Sequence, residues 1–427
     1  MDLDRRAAYL ILRDIHARDA YSNLAVNRQL GEPGIRSGAF VRELVYGVLR
    51  NQLFLDYNID RLMRSPDSRL KAGVRILLRM GLYQLLWMDS VTDYAAVDET
   101  VKLAGRFHKG QTGFVNGVLR SFVRNEKRTM LPDPSEEAFH LSVRYSCHRE
   151  IVDLWMKVYG SQGARDLLES VQAVPPLTLR TNNLKIGRPA LMEALASEGL
   201  LPLEGLLTET AVLLAGGEIL NGNLYREGYF SIQDESSQLA VQLLDPKPGE
   251  RLLDLCAAPG GKSCAAAEWM KDEGEVDSFD VHADKIHRIS REAGRLGITI
   301  VRAAAADGTV YEPSLESVAD CVLVDAPCSG LGVVRRKPEL KLHPFRDKAD
   351  ALHKIQRRLL DVAACYIKTG GRLLYSTCTI NPDENERVTE AFLASHPGYS
   401  REKELQLLPS VHGTDGLYIC LMRRQND

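Results

Sequence analysis

The stretch RLLDLCAAPGGKSCAAAEWM, residues 251–270, runs from an apolar segment of strand length through a turn with two adjacent glycines into a helix-forming segment. Four more short apolar runs follow, EVDSFDV, ITIVRAAA, CVLVDAP and GRLLYSTC, separated by helical patterns. Strands joined through crossover helices run parallel, because each helix returns the chain to the same end of the sheet. The pattern therefore predicts a Rossmann-like α/β sheet covered by helices on both faces. Such a sheet binds its ligand beyond the carboxyl ends of the strands, near the point where strand order reverses.

The chain upstream is different. Residues 1–130 repeat apolar positions three or four apart in five segments, from RRAAYLILRDIHA to QTGFVNGVLRSFVRN, and predict an all-α module with Asp93 as the N-cap of its fourth helix. Two prolines and a charge cluster in NEKRTMLPDPSEE break the pattern. Residues 131–235 mix helical REIVDLWMKVYG and RPALMEALASEG with strand-like PLTLRTN and GYFSIQ, the pattern of a small α+β linking domain. Residues 236–427 form the α/β domain.

Charge separates these modules. The whole chain carries −3, yet residues 1–129 hold 21 Lys and Arg against 14 Asp and Glu, a surplus of 7. A basic helical module joined to an acidic remainder points to a phosphate-bearing partner. The first residues are too charged for a secretory signal, and no uncharged apolar run of ~18 residues is present to span a bilayer. Eight cysteines without a C-x-x-C pair fit reduced thiols in a cytoplasmic protein with no metal site.

The glycine turn narrows the ligand. Gly260 and Gly261 let a ligand approach the backbone amides at a helix N-terminus. Gly261, Lys262 and Ser263 match the end of a phosphate-binding P-loop, but Cys256 stands where its first glycine belongs. A dinucleotide fingerprint G-x-G-x-x-G is also missing. Asp280, 20 residues after Gly260, ends the next strand, where an acid takes the hydroxyls of a ribose. Asp307 follows the third strand and is placed for an adenine amino group. An adenosine without a phosphate requirement fits this pattern, and S-adenosyl-L-methionine is such a ligand.

Asp325 and Cys328 follow the fourth strand in DAPCSGLG, and Cys378 follows the fifth in YSTCTINPDENE. A lone cysteine at a strand end is ordinarily a packed thiol. Two beside one crevice, with an acid next to them, fit covalent catalysis on a pyrimidine. A thiolate that adds to carbon 6 converts carbon 5 into a nucleophile able to take a methyl group. Asp325, protonated or sharing a proton with N3, would stabilise the ring. The residues alone leave open which thiol attacks.

DLCAAPGGKS, DAPCSG and YSTCTINPDENE together resemble the cofactor loop, substrate loop and nucleophile motif of the RNA 5-methylcytosine methyltransferases of the Sun/Fmu group. With the basic helical N-terminus, the chain most resembles the ribosomal RNA small subunit methyltransferase B family. The resemblance implies a NusB-like RNA-binding domain, a linking domain and a methyltransferase domain closing with HGTDGLYICLMRR. It also implies that Cys378 attacks and Cys328 serves product release. Cys256, Ala257, Ala258, Pro259, Gly260, Gly261, Lys262, Asp280, Asp307 and Asp325 are its cofactor contacts. Leu331 and His282 depart from the usual pattern.

The implied substrate is one cytidine of 16S ribosomal RNA, naked or in an early assembly intermediate, for a monomer without an obligate protein partner or membrane. A target in tRNA or another RNA, a non-catalytic RNA-binding assembly or antitermination factor, and a P-loop NTPase are the alternatives. Residues 335–358, with nine Lys and Arg, are expected to line an RNA-backbone groove, and Arg5, Arg6, Arg42 and Arg50 to face RNA.

Overall fold

The computed structural model describes the chain except residues 1, 19–21, 64–69, 218, 221, 347–348 and 427. It divides into two compact units, Met1–Ala173 with Val334–Phe345, and Val174–Val333 with Arg346–Asp427. No helix among the described residues is long and apolar enough to cross a membrane.

The first unit is helical: α1 (Leu3–Arg18), α2 (Ser22–Leu30), α3 (Gly38–Arg50), α4 (Gln52–Leu62), α5 (Ala72–Trp87), α6 (Asp93–Phe107), α7 (Thr112–Arg124), α8 (Glu137–Arg144) and α9 (Arg149–Gln172). In α5 every residue from Ile76 to Leu85 is buried, so this helix is the core against which α1, α3, α4, α6 and α7 pack. Its one buried charge, Arg79, is matched by Asp56 of α4 through two hydrogen bonds of 2.8 and 2.6 Å. The N-cap of α6 is Thr92 rather than Asp93: Thr92 is extended and its Oγ1 accepts from the Ala95 amide at 3.3 Å. Asp93 is already helical, with its carboxylate 2.6 Å from Lys127 Nζ.

Residues 334–345 belong to this helical unit although they follow the DAPCSGLG loop directly. Lys341 is fully buried there, its Nζ donating to the Tyr145 carbonyl at 2.7 Å and to Gln172 Oε1 at 2.6 Å. Burial lowers its ammonium to about 8. Glu339 Oε1 accepts from the Ser22 amide at 3.0 Å. These contacts correct the reading of 335–358 as one exposed basic groove, because Arg335 and Lys341 are buried. Lys348 lies outside the described residues, while Lys354, Arg357 and Arg358 are exposed. The four arginines expected to face RNA also divide. Arg5 is buried, with Nε bonded to Gln84 at 2.6 Å, and Arg50 is partly buried near the Tyr46 ring; Arg6 and Arg42 are exposed.

The second unit begins with a small antiparallel sheet of β1 (Leu177–Thr181), β2 (Leu203–Glu204), β3 (Ala211–Leu214) and β4 (Phe230–Ile232), in the order β2-β3-β1-β4. Helices α10 (Arg188–Ser197) and α11 (Asn223–Arg226) accompany it, and α12 (Glu235–Leu244) leads on. A larger sheet follows: β5 (Arg251–Asp254), β6 (Glu275–Asp280), β7 (Val301–Ala305), β8 (Ala319–Asp325), β9 (Ile367–Thr377), β10 (Tyr399–Leu407) and β11 (Leu417–Arg424). Helices α13 (Gly261–Trp269), α14 (Ala283–Leu296), α15 (Ala349–Tyr366), α16 (Glu386–Ser395) and α17 (Pro409–His412) intervene.

Strand order is β10-β11-β9-β8-β5-β6-β7, with β5 to β9 parallel and the last two strands antiparallel. The two faces are read from alternate residues. Leu252, Cys321 and Leu323 pack into one core, and Leu253, Val322 and Val324 into the other. This is the α/β class expected, extended by an antiparallel hairpin. The chain turns from β7 back across the sheet to β8, so the strand order reverses between β5 and β8.

Candidate active site

The turn after β5 sits at that reversal. Gly260 has φ +106°, and a Cβ there would lie 3.1 Å from Ile289 Cα and 3.2 Å from its Cγ2, so only glycine fits between the turn and α14. The turn is fastened from beneath by Asp254. This buried carboxylate accepts from Ser263 Oγ at 2.7 Å and from the Cys256 amide at 3.3 Å. Burial raises it to about 7, and the nearby charge of Asp325 adds to the rise.

Lys262 points from the first turn of α13 across the reversal to β8, where its Nζ lies 2.6 Å from Asp325 Oδ2. Asp325 Oδ1 accepts from Ser376 Oγ of β9 at 2.8 Å. Burial by itself would lower the Lys262 ammonium, but the charges of Asp325, Cys378 and Asp254 more than offset it and the net shift is upward. The lysine is thus held by a carboxylate, which removes the charge a P-loop would offer to phosphate.

Asp280 ends β6 and turns back to the same loop. Its Oδ2 accepts from the Ala258 amide at 3.2 Å and its Oδ1 from the His282 amide at 2.9 Å. Asp307, beyond β7, is exposed and accepts from the amide and hydroxyl of Thr309 at 2.9 and 2.7 Å. Cys256 reports the convergence of these groups. Burial raises its thiol well above the ordinary range, and the charges of Asp254, Asp325, Asp280 and Asp307 raise it further. Four acidic side chains, with Lys262 beside Asp325 and Lys285 4.0 Å from Asp280, suit a cationic ligand better than a polyphosphate. Among the described residues no cluster of His, Cys, Asp and Glu is arranged to hold a metal.

Cys328 and Cys378 stand at the ends of β8 and β9 with their Sγ atoms 3.3 Å apart. The loops that carry them are joined by groups that sequence reasoning did not single out. Glu384 is fully buried and accepts from the Ser329 amide at 2.8 Å, Ser329 Oγ at 2.5 Å, Asn381 Nδ2 at 3.0 Å and Gln356 Nε2 at 3.2 Å. Asn385 binds Thr377 Oγ1 at 2.5 Å and the Thr379 carbonyl at 3.1 Å, on either side of Cys378. The signal was present in NPDENE, whose acid and amides directly follow the T-C pair. The Gly332 amide donates to the Cys378 carbonyl at 2.9 Å, and the Gly416 amide to the Gly332 carbonyl at 2.9 Å. A Cβ on Gly332 would fall 2.0 Å from the Gly416 carbonyl oxygen.

Charge separates the two thiols. Cys328 is raised well above the ordinary range by its hydrogen bond to Cys378, by burial, by the charge of Cys378 and by that of Glu384. The charge of Cys378 is in turn one of those that raise Lys262.

Residues 241–423 match the family model described as 16S rRNA methyltransferase RsmB/F, residues 3–124 match the NusB family, and residues 151–218 match the ferredoxin-like domain of RsmF/B-like methyltransferases. The chain is 38% identical to the probable ribosomal RNA small subunit methyltransferase B of Bacillus subtilis, over 99% of this chain and 98% of that one. It is 31% identical to the ribosomal RNA small subunit methyltransferase B of Erwinia tasmaniensis, over 98% of each chain. The crystal structure of PH0851 superposes with a TM-score of 0.84 at 27% identity and covers 97% of both chains. Fold, turn and relatives define an S-adenosyl-L-methionine-dependent methyltransferase with a Rossmann-like catalytic domain. An all-α NusB-like domain and a small ferredoxin-like domain precede it. The chain belongs to the ribosomal RNA small subunit methyltransferase B family.

Proposed function

We propose that the chain methylates carbon 5 of one cytidine in 16S ribosomal RNA, with Cys378 as nucleophile, Asp325 as the group on N3 and Cys328 as the group that releases the product. The observation that carries this reading is the 3.3 Å approach of the two sulfurs beside the Lys262–Asp325 pair. Bound S-adenosyl-L-methionine supplies the methyl group. The turn from Cys256 to Lys262, with Asp280, Asp307 and Asp325, is the set of residues that would hold it.

In this scheme the Cys378 thiolate bonds to C6 while Asp325, protonated or sharing a proton with N3, offsets the charge that develops on the ring. The electrons move to C5, the carbon to which the bound cofactor would give its methyl group, the S–CH3 bond breaking and S-adenosyl-L-homocysteine being the leaving group. Cys378 then carries no charge and no longer hydrogen-bonds to Cys328 as a thiolate. The first and third of the influences that raise Cys328 disappear. Cys328 loses its proton to solvent more readily and becomes the base that removes H5; the C5–C6 double bond re-forms and Cys378 leaves as thiolate.

The working modules in this reading are residues 1–130, 131–235 and 236–427. The enzyme acts as a cytoplasmic monomer, and the basic helical module holds the RNA around a base that flips out to reach the thiol. Mapping 5-methylcytidine across 16S ribosomal RNA and tRNA in cells lacking this chain tests the target. One site lost from 16S RNA is expected. An intact 16S pattern with a site lost from tRNA would move the substrate to tRNA.

A further inference from the structure

Helix α13, which opens the cofactor turn, is gripped from outside the large sheet. Arg180 lies on β1 of the small sheet with its side chain 3% exposed, and each guanidinium nitrogen is used. Nε and Nη2 donate to the two carboxylate oxygens of Glu268 on α13, at 2.9 and 2.8 Å. Nη1 donates to the Gly261 carbonyl at 2.8 Å and to Gln233 Oε1 at 2.5 Å. The amide of Gln233 also fills the space beside Gly261, where a Cβ would lie 3.4 Å from Nε2.

Stability alone does not call for this arrangement. Desolvation of two charges is offset only in part by their pairing, and an apolar pair of similar volume commonly serves as well. A cation near the first turn of a helix also opposes the helix dipole. What the arginine fork achieves, and a lysine does not, is to span a carboxylate further along α13 and the carbonyl of its first residue at once. The peptide unit is planar and trans, so fixing the Gly261 carbonyl fixes the Lys262 N–H that points the opposite way, out of the helix N-terminus. That amide is one of those α13 leaves for a ligand, and the side chain of the same residue holds Asp325.

We propose that Arg180 is a positioning residue for S-adenosyl-L-methionine, acting from the ferredoxin-like domain by locking the peptide plane between Gly261 and Lys262. This inference rests on the reading of the 256–262 turn as the cofactor site.

The test compares the full-length wild type with Arg180→Lys and with the double variant Arg180→Met/Glu268→Leu. The double variant removes both buried charges together, so neither is left unpaired, and its melting temperature reports on the fold. Titration calorimetry with S-adenosyl-L-methionine, without RNA, is expected to show about tenfold weaker binding by both variants. Hydrogen exchange at the Lys262 amide should be faster, while the KM for RNA and the melting temperature of the double variant stay close to wild type. A folded double variant that binds the cofactor as tightly as wild type would overturn the positioning role. A wild type that fails to bind it would overturn the turn assignment as well.

Discussion

The sulfurs of Cys328 and Cys378 lie 3.3 Å apart on loops that leave the adjacent parallel strands β8 and β9. Thiols this close do not ionise independently, because a second negative charge at that distance is strongly disfavoured. Glu384 is joined to the Cys328 loop and its charge raises Cys328 further, while the charge of Cys378 is among those that raise Lys262.

The first prediction follows from this division of labour. Cys378→Ala is expected to lose both methylation and any covalent species with RNA. Cys328→Ala should slow turnover by about 10²–10⁴-fold, the usual loss on deleting a proton-transfer group, and trap an adduct. Denaturing gels with labelled RNA read the outcome. An adduct formed by Cys378→Ala would exchange the two assignments.

A second prediction concerns Glu384. Its charge is one of the influences that raise Cys328, and Glu384→Gln removes it while keeping the side-chain shape. Gln356 Nε2 also donates to the Pro327 carbonyl at 2.9 Å and so keeps its orientation, which leaves the variant with fewer acceptors for the donors around residue 384. Site-resolved alkylation followed by mass spectrometry should show Cys328 modified at a lower pH in the variant. The exchange of charged for neutral hydrogen bonds should cost about 1–3 kcal/mol of stability. An unchanged Cys328 profile in a folded variant would remove Glu384 from the electrostatic account.

The third prediction is a pH dependence of stability. Asp254 ionises near 3.8 when unperturbed and is raised to about 7 in the fold, chiefly by burial. Between these values the folded chain keeps a proton that the unfolded chain has lost. Stability therefore falls as pH rises through this window and levels off above it. Asp254→Asn should abolish that slope, and its stability relative to wild type should rise by on the order of 2 kcal/mol from about pH 5 to about pH 8. Urea denaturation at both ends of the range checks it; parallel curves for the two proteins would contradict the raised carboxyl.

Much of this was legible in the sequence because it is periodic or punctuated. Alternating apolar residues in β5 and β8 define two faces, and Gly260 marks a turn where no side chain fits. The positions of Cys328 and Cys378 at neighbouring strand ends follow from the parallel order. The shift of the α6 cap from Asp93 to Thr92 shows how two adjacent capping residues defeat a reading by type, since backbone geometry and a distant lysine decide between them. Lys341 shows the limit more sharply. In sequence it is one of nine cations, and only the fold reveals that a carbonyl and an amide take its ammonium out of water. Arg180 was hidden for the same reason, its partners lying 53 to 88 positions away.

The contact between Gly332 and Gly416 bears on when the Cys328 loop is fastened during synthesis of the chain. The loop that carries Cys328 is held on one side by the backbone of residue 378 and on the other by that of residue 416. A growing chain that has already released its helical domain and the glycine turn from the ribosome still lacks the piece that closes the Cys328 loop. Folding of earlier segments can run ahead of translation, yet the backbone contact that holds the Cys328 loop waits for the chain to reach Gly416. A chain still short of Gly416 can therefore be largely folded and yet lack one of the two holds on the Cys328 loop.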